Sequence, residues 1–385
     1  MSIHSGVSDM SNIRIGSLFG IPFYINPSWF LVLGLVSLSY GSGLAAQFPS
    51  LPGGLAWGLG LLTALLLFGS VLAHELGHSF VALKQGIGVN SITLFLFGGL
   101  ASLEKESETP ADAFWVAMAG PLVSLLIAVG VASVVGFTGI SGALAAMLRV
   151  LASVNLALAL FNLIPGLPLD GGNILKALVW KLTGNPFKGI QFAGRVGQVF
   201  GWVAIASGVL SIFWSDSGVN FWNILIGWFL LQNAGQAAQY ATFQDRLTGL
   251  TAANAVAVES PIVEASQTLR KFADQQVLGQ RNWRKFLVTD DGGRLMGTIA
   301  VDDLKTIPSD RWADTPVESL VMPIPSSLTV ESDRPLVEVV KFLEEHKLNA
   351  VSVVGVNGVL VGLLEKTAII QLLQNRKVTA PALAS

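Results

Sequence analysis

Six runs of apolar residues, each near the length needed to cross a lipid bilayer, constrain this chain more than any other feature. They lie at roughly 27–46, 54–83, 112–136, 147–165, 196–214 and 219–238. A bilayer core is about 30 Å thick and a helix rises about 1.5 Å per residue, so about 20 apolar residues span it. Backbone N–H and C=O groups find no water there, so such runs must be helices. The sequence therefore predicts a polytopic α-helical membrane domain over residues 1–240 and excludes a soluble enzyme. Charged residues are 12% of the chain, against about 25% in soluble domains. Most of that charge lies beyond residue 245, where the composition turns ordinary and soluble and a new domain begins.

Six spans return both termini to one side. Arg14, Lys84, Lys105, Lys176, Lys181, Lys188 and Arg195 all fall in the N-terminal segment or after the second and fourth runs. Only Arg149 breaks the pattern. Cytoplasmic loops carry the excess of Lys and Arg, so both termini and the soluble part are expected in the cytoplasm, with the protein in the cell membrane. Residues 1–13 are polar and do not read as a cleaved signal peptide. The net charge of −2 offers no footprint for nucleic acid. There are no cysteines, so any metal site must draw on His, Asp or Glu.

Residues 91–104, Ser-Ile-Thr-Leu-Phe-Leu-Phe-Gly-Gly-Leu-Ala-Ser-Leu-Glu, are β-branched and aromatic with a Gly-Gly break, and read as a β-hairpin insert. A bare strand edge cannot face lipid, so the hairpin must lie against protein or at the interface. The soluble part repeats itself. Phe286 to Gly297 aligns with Val351 to Gly362, bringing Gly293 onto Gly358 and Gly297 onto Gly362, and Val258-Glu-Ser260 aligns upstream with Val330-Glu-Ser332. A tandem α/β repeat of about 60 residues per copy is expected, at 249–310 and 317–376.

The chemistry gathers at the end of the second run. Residues 74–78 are His-Glu-Leu-Gly-His. On a helix His74 and His78 share a face one turn apart, so both imidazoles can hold one metal. Glu75 lies about 100° round the helix, where it can reach a water on that metal as general base. Such a five-residue pattern also occurs by chance. Its place argues otherwise: His74, Glu75, His78 and Ser79 follow the apolar run Gly54–Ala73 near the edge of the bilayer core, where charged groups are costly and need a reason.

Two histidines leave a catalytic zinc one protein ligand short. His4 and His346 stand in a polar tail and in the soluble domain, away from the motif. Asp170 follows the fourth run in Asn162-Leu-Ile-Pro-Gly-Leu-Pro-Leu-Asp-Gly-Gly172, at the same membrane edge as His78. Pro165 and Pro168 can turn the chain back toward the bundle. Asp170-Gly-Gly also reads as a plain turn at a helix end; the need for a third ligand favours Asp170 as that ligand.

Together these motifs resemble the site-2 protease family of intramembrane zinc metalloproteases, over residues 14 to about 240. The opening Gly20-Ile-Pro-Phe-Tyr-Ile-Asn-Pro-Ser-Trp29, the Phe97-Gly98-Gly99 break and Ala119-Gly-Pro121 add to the resemblance. It implies one zinc ion on His74, His78 and Asp170, with Glu75 as the base. It implies that Asn162 contacts substrate or supports the site, and that the strand around Phe97, Gly98 and Gly99 holds substrate. The substrate would be a transmembrane protein cut within or near its membrane segment, in regulated intramembrane proteolysis. Asn26 stands where the family often has His, at a position that is not a ligand. Membrane lipid is the other expected contact.

The repeat resembles a CBS-domain pair, which often binds adenine nucleotides through Gly-x-x-Thr/Ser-x-x-Asp. The first copy reads Gly297-Thr-Ile-Ala300-Val-Asp-Asp303, keeping Asp303 but not the hydroxyl. The second has Glu365 and Ala368 and keeps neither. Arg281, Arg284 and Lys285 could meet phosphates or simply be solvated. A structural module, or one that joins two copies into a homodimer, is the equal alternative. Two rivals stand for the whole chain. A transporter regulated by the CBS pair would spread charges along several helices, and a single cluster at one edge is seen. An inactive homologue that binds membrane partners would have no use for Glu75.

Overall fold

The computed structural model describes residues 12–96, 98–213, 218–257, 259–277 and 283–379. The chain divides into two compact units, Met1–Thr242 and Phe243–Ser385.

The first unit opens with two short strands, β1 (Ile13–Leu18) and β2 (Ile21–Ile25), followed by the long helices α1 (Ser28–Gln47) and α2 (Gly53–Lys84). Strands β3 (Val89–Phe95) and β4 (Gly98–Leu103) come next. The 89–103 segment is not an isolated insert. It forms half of a four-stranded sheet in the order β1-β2-β3-β4. β2 and β3 run parallel, with Phe23 opposite Ile92 and Ile25 opposite Leu94. β3 and β4 run antiparallel, with Ser91 opposite Ser102 and Phe95 opposite Gly98. β4 is thus an edge strand. The sheet is pinned to the helices by a small apolar cluster of Ile25, Trp29 and Leu94, with Phe68 and Val71 of α2 against it.

Five further helices follow: α3 (Pro110–Thr138), α4 (Gly142–Asn162), α5 (Asp170–Thr183), α6 (Pro186–Leu210) and α7 (Phe221–Leu247), the last running past the boundary at Thr242. Their ends are written in the sequence. Thr109 Oγ1 accepts from the Asp112 N–H at 3.1 Å, Pro110 opens α3, and Gly139 closes it at φ 66°. Asn185 Oδ1 accepts from the Phe187 and Lys188 N–H groups at 2.8 and 3.3 Å to start α6.

Among the described residues five helical segments are long and apolar enough to cross a membrane: Ser28–Gln47, Gly54–Lys84, Pro110–Thr138, Gly142–Asn162 and Pro186–Phe213. The protein is an integral membrane protein with these five candidate spans. The sixth expected span is a helix, α7, but does not join them. Asn223, Gln232, Asn233, Gln236 and Gln239 dilute its apolar residues. The fourth run ends at Asn162 rather than at 165, because residues 163–169 form turns ahead of α5.

The second unit holds two sheets of matching design. In the first, β5 (Ile262–Glu264) pairs parallel with β6 (Lys285–Thr289), which pairs antiparallel with β7 (Leu295–Ala300). In the second, β8 (Thr329–Glu331), β9 (Ala350–Val354) and β10 (Leu360–Glu365) repeat that order. Gly293 and Gly358 turn the two hairpins at the same φ of 75°. Each half has its own core, one around Phe272, Phe286 and Ile299 and the other around Leu336, Leu343 and Leu364. The upstream alignment needs correction: β5 and β8 put Val263-Glu264 opposite Val330-Glu331 in the two copies. Glu259 and Ser260 precede β5, and Val258 lies outside the described residues.

Candidate active site

The second expected span delivers its motif to the interior of the first unit. His74 and His78 are 3% and 9% exposed on α2. Their Nε2 atoms face each other at 3.2 Å. Asp170 Oδ2 stands 3.1 Å from His74 Nε2 and 3.4 Å from His78 Nε2. Among the described residues these three form the group of possible metal ligands whose donor atoms converge. Asp170 opens α5, where the first-turn amides favour a carboxylate. The two residues after it are not a plain turn. They lie inside α5, and a Cβ on Gly171 or Gly172 would collide with backbone of residues 163–167. That contact folds the Asn162–Leu169 connection onto the start of α5 and so places Asp170 under α2.

The donor set fits zinc. Ligand atoms at about 2.0–2.1 Å from a tetrahedral ion lie about 3.3 Å apart, which matches the observed triangle. The second contacts of the imidazoles agree. His78 Nδ1 lies 2.6 Å from the Val116 carbonyl, which can only accept, so Nδ1 carries the proton and Nε2 presents a lone pair. His74 Nδ1 meets Ser124 Oγ at 2.9 Å. With both rings neutral, two imidazole lone pairs and a carboxylate oxygen converge on one spot, an arrangement that a cation between them relieves. Outer partners of this kind fix the tautomer and the orientation of metal-binding histidines.

Two glycines make the space. A Cβ on Gly120 of α3 would collide with Nε2 of both His78 and His74. Val116, Gly120 and Ser124 follow one another at four-residue intervals along one face of α3, so a single helix face supplies both orienting groups and the gap between them. A Cβ on Gly99 of β4 would collide with the Glu75 side chain. Strand β4 therefore lies directly against Glu75.

These groups border a cleft of about 470 Å³, lined by His74, Glu75, His78, Asn162 and Asp170 and by Gly98 to Ala101 of β4. The structure thus gathers Gly98, Gly99 and Asn162 at the same cleft as the triad and Glu75. Phe97, expected beside them, lies outside the described residues. Sequence reasoning missed Ser124, Val116 and the position of Gly120, although Ala119-Gly-Pro121 had marked the right turn of helix. It also missed a buried polar pair one turn before His74, where Asn155 Nδ2 donates to Ser70 Oγ at 3.0 Å.

Asp303 lies in the second unit. Its Oδ2 accepts from the Ala300 N–H at 2.7 Å and caps its own helical turn. It is absent from the described lining of the cavity of about 420 Å³ in the second unit, whose charged members are Lys285 and Glu365.

Apolar helices around a buried His-His-Asp cluster with a glutamate beside it define a membrane-embedded zinc metalloprotease, and comparison with known proteins agrees. The model of Peptidase family M50 matches residues 62–143 and 139–204, and that of the CBS domain matches 317–375. The chain is 55% identical to "Putative zinc metalloprotease sll0528" of Synechocystis sp., over 94% of this chain and 96% of that one. It is 30% identical to "Putative zinc metalloprotease Rip3" of Mycobacterium tuberculosis, over 96% and 94%. Among solved structures, the site-2 protease from Methanocaldococcus jannaschii matches 59% of this chain and 95% of that one, at 31% identity and a TM-score of 0.42. The chain belongs to peptidase family M50, the site-2 proteases, and carries CBS sequence at its C-terminal end.

Proposed function

We propose that this protein cleaves transmembrane segments of other membrane proteins at the cleft under α2, using one zinc ion held by His74, His78 and Asp170. The observation that carries this reading is the triangle of donor atoms at 3.1–3.4 Å beside Glu75. Zinc when bound lowers the pKa of its water to about 7 and polarises a carbonyl. Glu75 accepts the proton of that water and returns it to the leaving amine. The Val116 carbonyl keeps His78 in the tautomer that binds metal, and Ser124 holds the orientation of the His74 ring. Asn162 stands across the cleft to hold the substrate backbone.

A peptide bond inside a helix is shielded by its own hydrogen bonds, so the substrate must be extended before it is cut. The free edge of β4 supplies a template for that. A segment adding to β4 as a further strand exchanges helical for sheet hydrogen bonds and runs past Gly99, against which Glu75 lies. Helix-breaking residues in the substrate ease that exchange, so glycine and proline near the cut are preferred. In this reading the protein lies in the cell membrane. Although its amides set it apart from the five candidate spans, α7 serves in this reading as a sixth crossing, so that both ends and the CBS unit lie in the cytoplasm, where the unit modulates cleavage and joins two copies.

The test is co-expression of tagged single-pass substrates with wild-type protein or Glu75→Gln. A fragment that appears only with wild type supports the assignment. Equal cleavage by both removes Glu75 from the chemistry and overturns it.

A further inference from the structure

The cleft carries a second polar feature, away from the metal ligands. Asp170, Asn173, Lys176 and Trp180 succeed one another along one face of α5, and all four line it. Lys176 is the one Lys or Arg among the lining residues described. Its side chain is only 15% exposed, yet its ammonium reaches Glu106 Oε2 at 2.8 Å. Glu106 also lines the cleft. It belongs to the connection between β4 and α3, outside any helix or strand, and its side chain is 74% exposed. The two partners are therefore unequal. The cation is built into the cleft wall, whereas the carboxylate is an exposed group that itself loses little on returning to water. A largely buried ammonium requires an anion, and any carboxylate that enters the cleft can take the place of Glu106.

Resting on the proposed cleavage of peptide chains in this cleft, we infer that Lys176 forms a specificity subsite for an acidic side chain of the substrate, with Glu106 as its tethered stand-in before substrate binds. The position follows from the helix. Lys176 is six residues after Asp170, a rise of about 9 Å. An extended chain covers that in about three residues. The acidic residue of the substrate therefore lies about two to four residues from the scissile bond. Asn173 and Trp180, three residues before and four after Lys176 on the same helix, also line the cleft and offer a hydrogen-bond partner to the carboxylate of a glutamate and an apolar face to its stem.

The experiment uses full-length protein in lipid nanodiscs. A single-pass transmembrane substrate carries Glu, Gln or Lys scanned through each position flanking the expected cut. Affinity is measured with the Glu75→Gln form and kcat/KM with the wild type, as ratios within each protein. The expected result is an optimum position at which Glu exceeds Lys by about tenfold. Adding Lys176→Glu reverses that order, Lys176→Arg retains it, and Glu106→Gln widens it. An affinity indifferent to charge, or an order unchanged by Lys176→Glu in protein that retains its zinc, overturns the subsite. Cleavage without such reversal overturns the subsite alone. Charge-ordered binding that Lys176→Glu reverses, with no cleavage by the wild type, upholds the subsite and removes the proposed reaction.

Discussion

Gly120→Ala is the most demanding test of the metal site, because it alters no ligand. The new methyl would stand 2.6 Å from His74 Nε2 and closer still to His78 Nε2. Ordinary contact begins near 3.4 Å, so His74 Nε2 must withdraw by roughly 0.8 Å and His78 Nε2 by more. Neither ring can withdraw freely. Each is held from behind by Ser124 or Val116, and those residues ride on the same helix as the intruding methyl. Moving α3 away releases both anchors at once. Zinc–ligand distances tolerate about 0.2 Å, so the displacement exceeds the tolerance about fourfold at two of the three ligands. Loss of a single outer partner lowers metal affinity about 10–100-fold. Displacing two ligands costs more than that. The expected outcome is a fall from about one zinc per chain to below about 0.1 after dialysis against buffered free zinc, read by elemental mass spectrometry, with cleavage at the level of Glu75→Gln. Gly130→Ala is the control in the same helix, since its Cβ meets nothing within 4 Å; it should retain zinc and activity. Full zinc and full cleavage in Gly120→Ala would refute the placement of the metal.

Three further outcomes follow from the same geometry. Asp170→Ala should lose most of its zinc while keeping its fold, by metal analysis and thermal unfolding; stoichiometric zinc in that variant would mean another third ligand. Ser124→Ala, which frees only the far side of His74, should weaken zinc about 10–100-fold without abolishing it, measured by competition with a chromogenic chelator. Phe286 is fully buried in the second unit and packs edge-on to Phe272 at a ring distance of 5.1 Å. Phe286→Ala should destabilise that unit by about 3–5 kcal/mol with zinc content unchanged, and a loss below about 1 kcal/mol in denaturant unfolding would contradict the assigned core.

What the sequence disclosed was what is local or costly. His74, Glu75 and His78 declare themselves because their relation is one helical turn, and because polar groups at a membrane edge demand a reason. Asp170 could be picked out because few candidate ligands were available. Ser124 and Val116 lie 50 and 38 residues from the histidines they orient. A serine within an apolar helix gives no sign of its partner, and a backbone carbonyl has no signal in sequence at all. The strands β1 and β2 carry a short signal beside a long apolar run: Ile13 and Ile15 alternate with Arg14 and Gly16, and Phe19-Gly20 turns with both φ angles positive. In α7 the apolar residues mask six amides. In the repeat, matching letters set Val258-Glu-Ser against Val330-Glu-Ser, where strand register sets Val263-Glu264 there instead.

Charge explains why an aspartate serves better than a third histidine in such a place. With zinc on His74, His78 and Asp170, the imidazoles are neutral and their outer nitrogens already engaged. The ion then brings two positive charges, and Asp170 and Glu75 bring one negative charge each. The cluster sums to zero within a few ångströms, so it can sit among apolar helices without the desolvation penalty of a net charge. A third histidine would leave one positive charge uncompensated at the same depth. Removing the metal has the opposite effect. A proton on an imidazole then holds Asp170 in place of the ion, and α2 and α5, which carry these groups, keep only that weaker attraction. Metal removal should therefore loosen the α2–α5 contact as well as stop the chemistry. Faster hydrogen exchange confined to the Leu163–Leu175 segment after chelation would show it, and exchange unchanged there would mean that packing alone, through Gly171 and Gly172, holds Asp170 in place.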